Sequence, residues 1–455
     1  MSQAAGLSAG RWPPLASRRS PVATRQSPVV HCHNPAVTRY DVAIIGGGVI
    51  GWSCAYHLVK RKPGLRVAVL ERCASCGRGS TGRAAGGVRA QFGTAVNVQL
   101  SLASIRAFER FQDEVGAEVE FRQAGYLFVT ATEKGAEHLR RVVPMQQELG
   151  VPVECLDGPG IHDRASYLYA DDLLSGAFSP ADGYLDPHAV CAGYEGAARR
   201  LGVVPLYSTE VASLDDDGAL VVAPAETGNR ESPSPAARGS VGEGVVRANE
   251  IVVASGHWSG DLARRLGLEL PIEQEIHYLA VTEPFEGLPD LVPMVVDLDT
   301  GFHFRREGAG LLVGCKFRSV GGRFTGGSVP GSPVGAAASS ALDLRADPPF
   351  DNAFLERLAE VGPPRLPLLS EARFDTRKGW AGYYAETPDG HAIIGRIGDF
   401  IIATGFGGHG VMHSPAAGQA VAEIILDGEC SSFNIRPLRP QRFAEGDLIR
   451  ETMVL

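Results

Sequence analysis

Two arginines stand inside a run of small residues, GSTGRAAGGVRAQFG, from Gly79 to Gly93. Glycine and alanine leave the backbone bare enough to approach a partner closely. A guanidinium is a fixed cation whose rigid fork of donors suits phosphate or carboxylate. Arg83 and Arg89 are therefore candidates for anion binding, the alternative being a solvated loop. Upstream, Gly46-x-Gly48-x-x-Gly51 follows the apolar run YDVAII and opens VIGWSCAYHLVKR, which has helical spacing; RVAVLER then reads as a second strand closed by Glu71. Glycines so placed make a tight turn and let a helix N-terminus face a pyrophosphate, while the acid takes a ribose hydroxyl pair. The complete βαβ unit predicts a bound dinucleotide, and Glu71 disfavours a ribose 2′-phosphate. Near the other end, Gly405-Phe406-Gly407-Gly408-His409-Gly410 lies between the strand FIIAT and a helix. A dehydrogenase with a single dinucleotide site has no need of that second loop, whereas a flavoprotein does. A helix N-terminus there places positive potential and backbone donors beside the flavin edge that becomes electron-rich on reduction. The two loops together predict FAD. His409 is a candidate for flavin or substrate contact, the alternative being a loop histidine that holds backbone groups.

The elements that position these loops read as an α/β chain of two interleaved domains. Residues 39–115, 175–260 and 388–430 are expected to form a Rossmann-like FAD-binding domain on a parallel sheet. Residues 116–174 and 261–387 are expected to form a substrate domain on a mixed or antiparallel sheet. Residues 98–114 and 132–149 have helical spacing with the strand GYLFVTAT between them, and HYLAVTEP, FHFRREG and LLVGCKF read as strands. PAAGQAVAEIIL reads as a helix with Pro415 in its first turn. Segments 223–244 and 319–340 are poor in large apolar residues and read as flexible insertions, and 431–455 reads as a C-terminal tail.

The chain has 455 residues and a net charge of −9, which argues against a nucleic-acid binder. The eight cysteines form no legible disulfide framework, so a reducing compartment is expected. Cys73 and Cys76 form one C-x-x-C pair without the second pair that zinc spacing requires, so no metal site is predicted. No Ser-His-Asp grouping is legible. The first forty residues contain five arginines, and the first acid is Asp41. With their Ser, Ala and Pro content, residues 1–38 read as an organellar transit peptide, mitochondrial or alternatively chloroplast. If they are instead an unstructured extension from another start, the address is cytoplasmic. No stretch approaches the ~18 apolar residues of a spanning helix.

The order and spacing of GGGVIGWSCAYHL, GSTGRAAGGVRAQF, DGYLDPHAV, VVASGHWSG, GWAGYYAETPDGHAIIG and TGFGGHGVMHSPAAG resemble the D-amino-acid-oxidase-like flavoproteins. Within that family they are most similar to the sarcosine oxidase and dimethylglycine dehydrogenase branch. GFHFRREG, GWAGYY and the pattern Arg442, Phe443, Gly446, Ile449, Glu451 are similar to a mitochondrial subgroup associated with assembly of respiratory complex I. The resemblance implies that Gly46, Gly48, Val49, Ile50, Gly51, Glu71 and Arg72 hold the ADP half of FAD. It places Ser80, Thr81 and Arg83 on the pyrophosphate side, Val211 at the adenine, Gly405, Gly407, Gly408 and Gly410 along the flavin, and Gly256 among the cofactor-binding residues. Arg89 falls where this branch holds a substrate carboxylate, the alternative being a structural salt bridge. Lys316 is a candidate active-site cation or a plain strand residue. One of Tyr383 and Tyr384 is a candidate to line the substrate pocket, and His257 and Trp258 are expected to cover the domain edge.

Departures from the family pattern narrow the expectation. The histidine that tethers flavin in some relatives is Arg83 here, and the tethering cysteine of others is Gly382, so FAD is expected to be non-covalent. An oxygen-activating lysine is replaced by Leu312, which favours a dehydrogenase over an oxidase, and a lysine after the GHG loop is replaced by Met412, which leaves Arg89 alone to hold a carboxylate. The implied activity is oxidation of the C–N bond of a secondary amine or amino acid. The alternative is an FAD-bound assembly factor for respiratory complex I with little turnover, whose partners are respiratory-chain proteins.

Overall fold

The computed structural model describes residues 37–225, 244–284, 286–318, 324–325, 347–375 and 377–453. The expectations for residues 1–36, for 226–243, for 319–323 and for 326–346 lie outside these residues. The first strand begins at Val37, inside the segment assigned to a leader.

The last four residues of the Val37–Ile45 strand are buried, as the continuous apolar run of a central parallel strand requires. It pairs in parallel with Gly244–Val253 on one side and Val67–Leu70 on the other. The sheet runs Ile393–Ile397, Phe400–Thr404, Gly244–Val253, Val37–Ile45, Val67–Leu70, Val204–Leu206, with Leu220–Pro224 and Thr209–Leu214 attached to the side. The second sheet runs Trp380–Glu386, Glu273–Val281, Gly310–Gly314, His303–Glu307, Met294–Asp297, Tyr126–Thr130, Ser175–Ser179, Glu154–Leu156. It is antiparallel except where Met294–Asp297 meets Tyr126–Thr130. The α/β class with one largely parallel and one mixed sheet is as expected. One boundary moves: Ser175–Ser179, assigned on sequence to the cofactor half, is an inner strand of the second sheet.

The two glycine loops, distant in sequence, are brought together by their helices. Val49–Arg61 lies against Gly410–Asp427. A Cβ on Gly418 would fall 2.2 Å from the Ser53 hydroxyl, so glycine sets this close approach. Ser53 Oγ donates to the Ser414 carbonyl at 2.7 Å. The C-terminal helix starts at Gly410, so Pro415 sits inside it and not in its first turn. Proline cannot donate to the Val411 carbonyl; the Ser414 hydroxyl does so instead, at 2.8 Å.

Candidate functional site

A long cavity runs between the two loops. It is lined by Gly46, Gly48, Val49, Ile50, Glu71, Arg72, Ser80, Thr81, Val211 and Gly256 at one end and by Gly405, Gly407, Gly408, Gly410 and Tyr384 at the other. Gly51 is not on this wall. A Cβ there would lie 1.9 Å from the Gly46 carbonyl oxygen, so its bare backbone lets the helix seat on the strand. Gly46 has φ +116° and faces the Ala254 carbonyl, which a Cβ would meet at 2.4 Å. Gly48, the N-cap, has no side chain to cap the helix; Thr81 Oγ1 reaches in and accepts from Val49 N at 3.2 Å.

Glu71 is buried, and its two oxygens accept from Gly47 N and Cys73 N at 2.7 Å each. Burial pushes its pKa up, and the two backbone donors pull it back. The carboxyl therefore fixes the glycine turn while keeping a lone pair on each oxygen for a diol. The cavity thus fits an elongated dinucleotide: an acid for ribose at one end, a glycine turn at a helix N-terminus, and a second helix start at the far end. Trp258 stacks on the Arg72 guanidinium at 4.7 Å, closing the Glu71 end. Next to it, His257 is held neutral by burial, with its pKa lowered to about 3.

Arg83 is not on the cavity wall. It pairs with Asp347 and covers Gly382, where a Cβ would come within 2.8 Å of the Arg83 Cβ. The two positions that depart from flavin-tethering residues therefore occupy the same spot. Arg89 is buried and donates to the backbone carbonyls of Gln91 and Met453. Its guanidinium lies 3.9 Å from the centre of the Phe92 ring. His409 packs on the same ring, at 5.4 Å, and its Nε2 has no hydrogen-bond partner among the described residues. Burial, with His413 and Arg89 nearby, holds His409 well below the usual histidine range. Lys316 stands apart. It packs over Gly301, burial lowers its pKa, and Asp297 and Asp299 oppose that shift. The three candidate catalytic residues are thus not one constellation: Arg89 and His409 share Phe92, Lys316 stands away from them, and none of the three lines the cavity.

The C-terminal pattern is a clamp on this region. Arg442 is fully buried and bonds both oxygens of Asp389, at 2.8 and 2.9 Å. Glu451 accepts from Gly93 N, Thr94 Oγ1 and Asn97 Nδ2 at 2.6, 2.7 and 2.9 Å. This binds the tail to the residues that follow Arg89.

Of the two tyrosines, Tyr383 points into the core, and Tyr384 lines the cavity against Gly408, as strand alternation requires. Tyr384 stacks on His277, with ring centres 3.6 Å apart and planes 15° apart. The register sets Glu275 opposite Tyr384 and His277 opposite Gly382, and Glu386 follows on the same face. Glu275, His277 and Glu386 escape a motif search because no local spacing links the two strands. Alternation within each strand is the signal that selects them.

A family model described as "FAD dependent oxidoreductase", abbreviated DAO, matches residues 41–424. The chain is 29% identical over 439 residues to FAD-dependent oxidoreductase domain-containing protein 1 of Xenopus laevis, covering 89% of this chain and 83% of that one. It is 28% identical over 419 residues to mitochondrial dimethylglycine dehydrogenase of Mus musculus, covering 90% of this chain but 44% of the relative. Among solved structures it resembles L-proline dehydrogenase from P. horikoshii, with 26% identity and a TM-score of 0.74 over 91% of this chain and all of that one. With two glycine loops facing one cavity and this match across most of its length, the chain belongs to the DAO family of FAD-dependent oxidoreductases.

Proposed function

We propose that this flavoprotein oxidises the C–N bond of a secondary amine or amino acid of sarcosine, dimethylglycine or proline type. The observation that carries this reading is the Tyr384 wall: Tyr384 of the second sheet lines the cavity beside the Gly405–Gly410 loop, and Glu275, His277 and Glu386 neighbour it in the strand register. Bound FAD supplies the two-electron acceptor, held by the glycine turn, Glu71 and Thr81 at its ADP half and by the Gly405–Gly410 loop at its flavin. The chain's own residues exclude water, orient the amine against the flavin loop and manage its proton. Leu312 is buried among Leu279 and Val281, so no cation stands at that position to favour reaction with oxygen, and a dehydrogenase is the better fit. The Arg83–Gly382 contact fits a non-covalent cofactor. Acid precipitation is expected to release all the flavin to the supernatant; yellow pelleted protein would refute non-covalent binding. A mitochondrial address is in keeping with the arginine-rich, acid-free N-terminal composition.

The test of the activity is anaerobic. Sarcosine, dimethylglycine and proline are added in turn to the yellow protein, and at least one is expected to bleach the bound flavin. If a broad amine panel leaves the flavin oxidised, the proposal fails. The second reading, an assembly factor for respiratory complex I with little turnover, is favoured by one observation: Arg89 spends its donors on carbonyls of its own chain. Co-purification with complex I intermediates, together with an unreactive flavin, is the result that reading expects.

A further inference from the structure

Glu386 is half-buried, on the sheet face that carries Tyr384. Its carboxyl meets the flavin loop: a Cβ on Gly407 would lie 2.6 Å from one of its oxygens. Glycine at 407, with φ +50°, leaves room for it. No described residue donates a hydrogen bond to Glu386, and no described Lys or Arg pairs with it. Glu273 is its partner in the register, Glu275 faces Tyr384 from the same strand, and the flavin loop offers only glycine backbone at the contact. A second unmet group lies beside it. His277 is stacked on Tyr384, and its Nε2 has no hydrogen-bond partner among the described residues; Glu275 is 3.6 Å away. Two carboxyls without a cation leave a place that a proton or a cationic ligand would satisfy.

We propose that Glu386 is the group that takes the proton from an incoming ammonium substrate. The proposal rests on the amine reading above. An N–H bond of the substrate breaks, an O–H bond forms on Glu386, and the electron pair stays on nitrogen; nothing is oxidised in this step. It is a necessary preliminary, because an ammonium has no lone pair to assist loss of hydride from the neighbouring carbon. The flat Tyr384–His277 stack forms the adjoining wall.

The electrostatics support this use. Burial, and then the charge of Glu275, push the Glu386 carboxyl up to about 8. A base poised near the working pH is the efficient choice for proton transfer. Tyr384 is pushed the same way, by burial first and then by Glu386. The carboxylate fraction of Glu386 would then rise from about 0.1 at pH 7 to about 0.9 at pH 9.

The experiment uses the FAD-loaded protein and whichever amine of the panel reduces it. The second-order rate constant of anaerobic flavin bleaching, which reports the free protein, is measured from pH 6 to pH 10 at amine well below saturation. The wild type is expected to rise through an inflection near 8. Glu386→Gln is expected to lose that inflection and to bleach about 100-fold more slowly at pH 8 with unchanged FAD content. Glu275→Gln removes the repelling charge and is expected to move the inflection to lower pH. A second readout needs no turnover. Calorimetry with 2-aminoisobutyrate, an amino acid without an α-hydrogen, is run in buffers of different ionisation enthalpy. One proton shared between ligand and Glu386 means release of about 0.9 proton at pH 7, falling to about 0.1 at pH 9. Glu386→Gln is expected to abolish that pH dependence. If Glu386→Gln keeps the wild-type inflection or the wild-type proton release, this assignment falls while the amine activity stands. If no amine reduces the flavin or binds, both fall.

Discussion

Gly51→Ala is expected to weaken flavin binding by about 100-fold. The new methyl would sit 1.9 Å from the Gly46 carbonyl oxygen. Neither side can yield. Gly46 N is bonded to the Leu70 carbonyl at 2.8 Å, and Gly46 has no room towards Ala254. The helix must lift off the strand, which carries the Gly48 turn and Val49 away from the phosphate position. Overpacking of a well-filled core costs about 1–3 kcal/mol, occasionally more, and this clash is with backbone, so the upper end applies. About 3 kcal/mol corresponds to roughly a 100-fold loss of affinity. Gly48→Ala is the control. Gly48 has φ −79°, and a Cβ there meets only Thr81 Oγ1, at 3.3 Å. It is expected to keep the apoprotein folded with a smaller loss of FAD. The ratio of flavin to protein absorbance, with thermal melting of the apoproteins, separates the two variants. Stoichiometric flavin and an unchanged melt for Gly51→Ala would contradict the packing argument.

The glycine loops are legible in the sequence because turn, helix start and terminal acid lie within one short βαβ segment. Each residue type answers a local need: positive φ at Gly46, close approach at Gly51, an acid at the strand end in Glu71. The same holds for Gly405–Gly410. The proposed substrate side is less legible because its residues are brought together by register. Glu275 and His277 come from one strand, Tyr384 and Glu386 from another far along the chain, and only their pairing puts them on one face. Arg89 shows a different limit. Its residue type invites a carboxylate, yet its observed partners are the carbonyls of Gln91 and Met453. A backbone acceptor has no residue type, so nothing in the sequence announces it. The tail pattern is legible as a resemblance, while its physical work, the burial of Arg442 and Glu451 against Asp389 and Gly93–Asn97, needs the fold.

That tail carries the other large effect. Arg442→Met is expected to destabilise the protein by about 3–5 kcal/mol, because it leaves the Asp389 carboxylate buried without its cation. Asp389 would retain donors from Thr387 Oγ1 at 3.2 Å and His391 N at 3.4 Å, both long for hydrogen bonds to a charged acceptor. The loss should spread along a defined path. The Asp389 carbonyl accepts Glu451 N at 2.9 Å, Glu451 holds Gly93 and Thr94, and Met453 holds Arg89. Hydrogen exchange should therefore quicken in residues 387–391, 442–453 and 89–97 together, while the Val37–Ile45 strand stays protected. The double variant Arg442→Met with Asp389→Leu removes both charges and is expected to recover much of the stability, since replacing a buried ion pair by apolar residues of similar size is often neutral. If the double variant is as unstable as the single one, the cost lies in the lost bonds of Arg442 to the Leu438 and His391 carbonyls. The tail would then be held chiefly by arginine–carbonyl contacts, and the ion pair would be secondary.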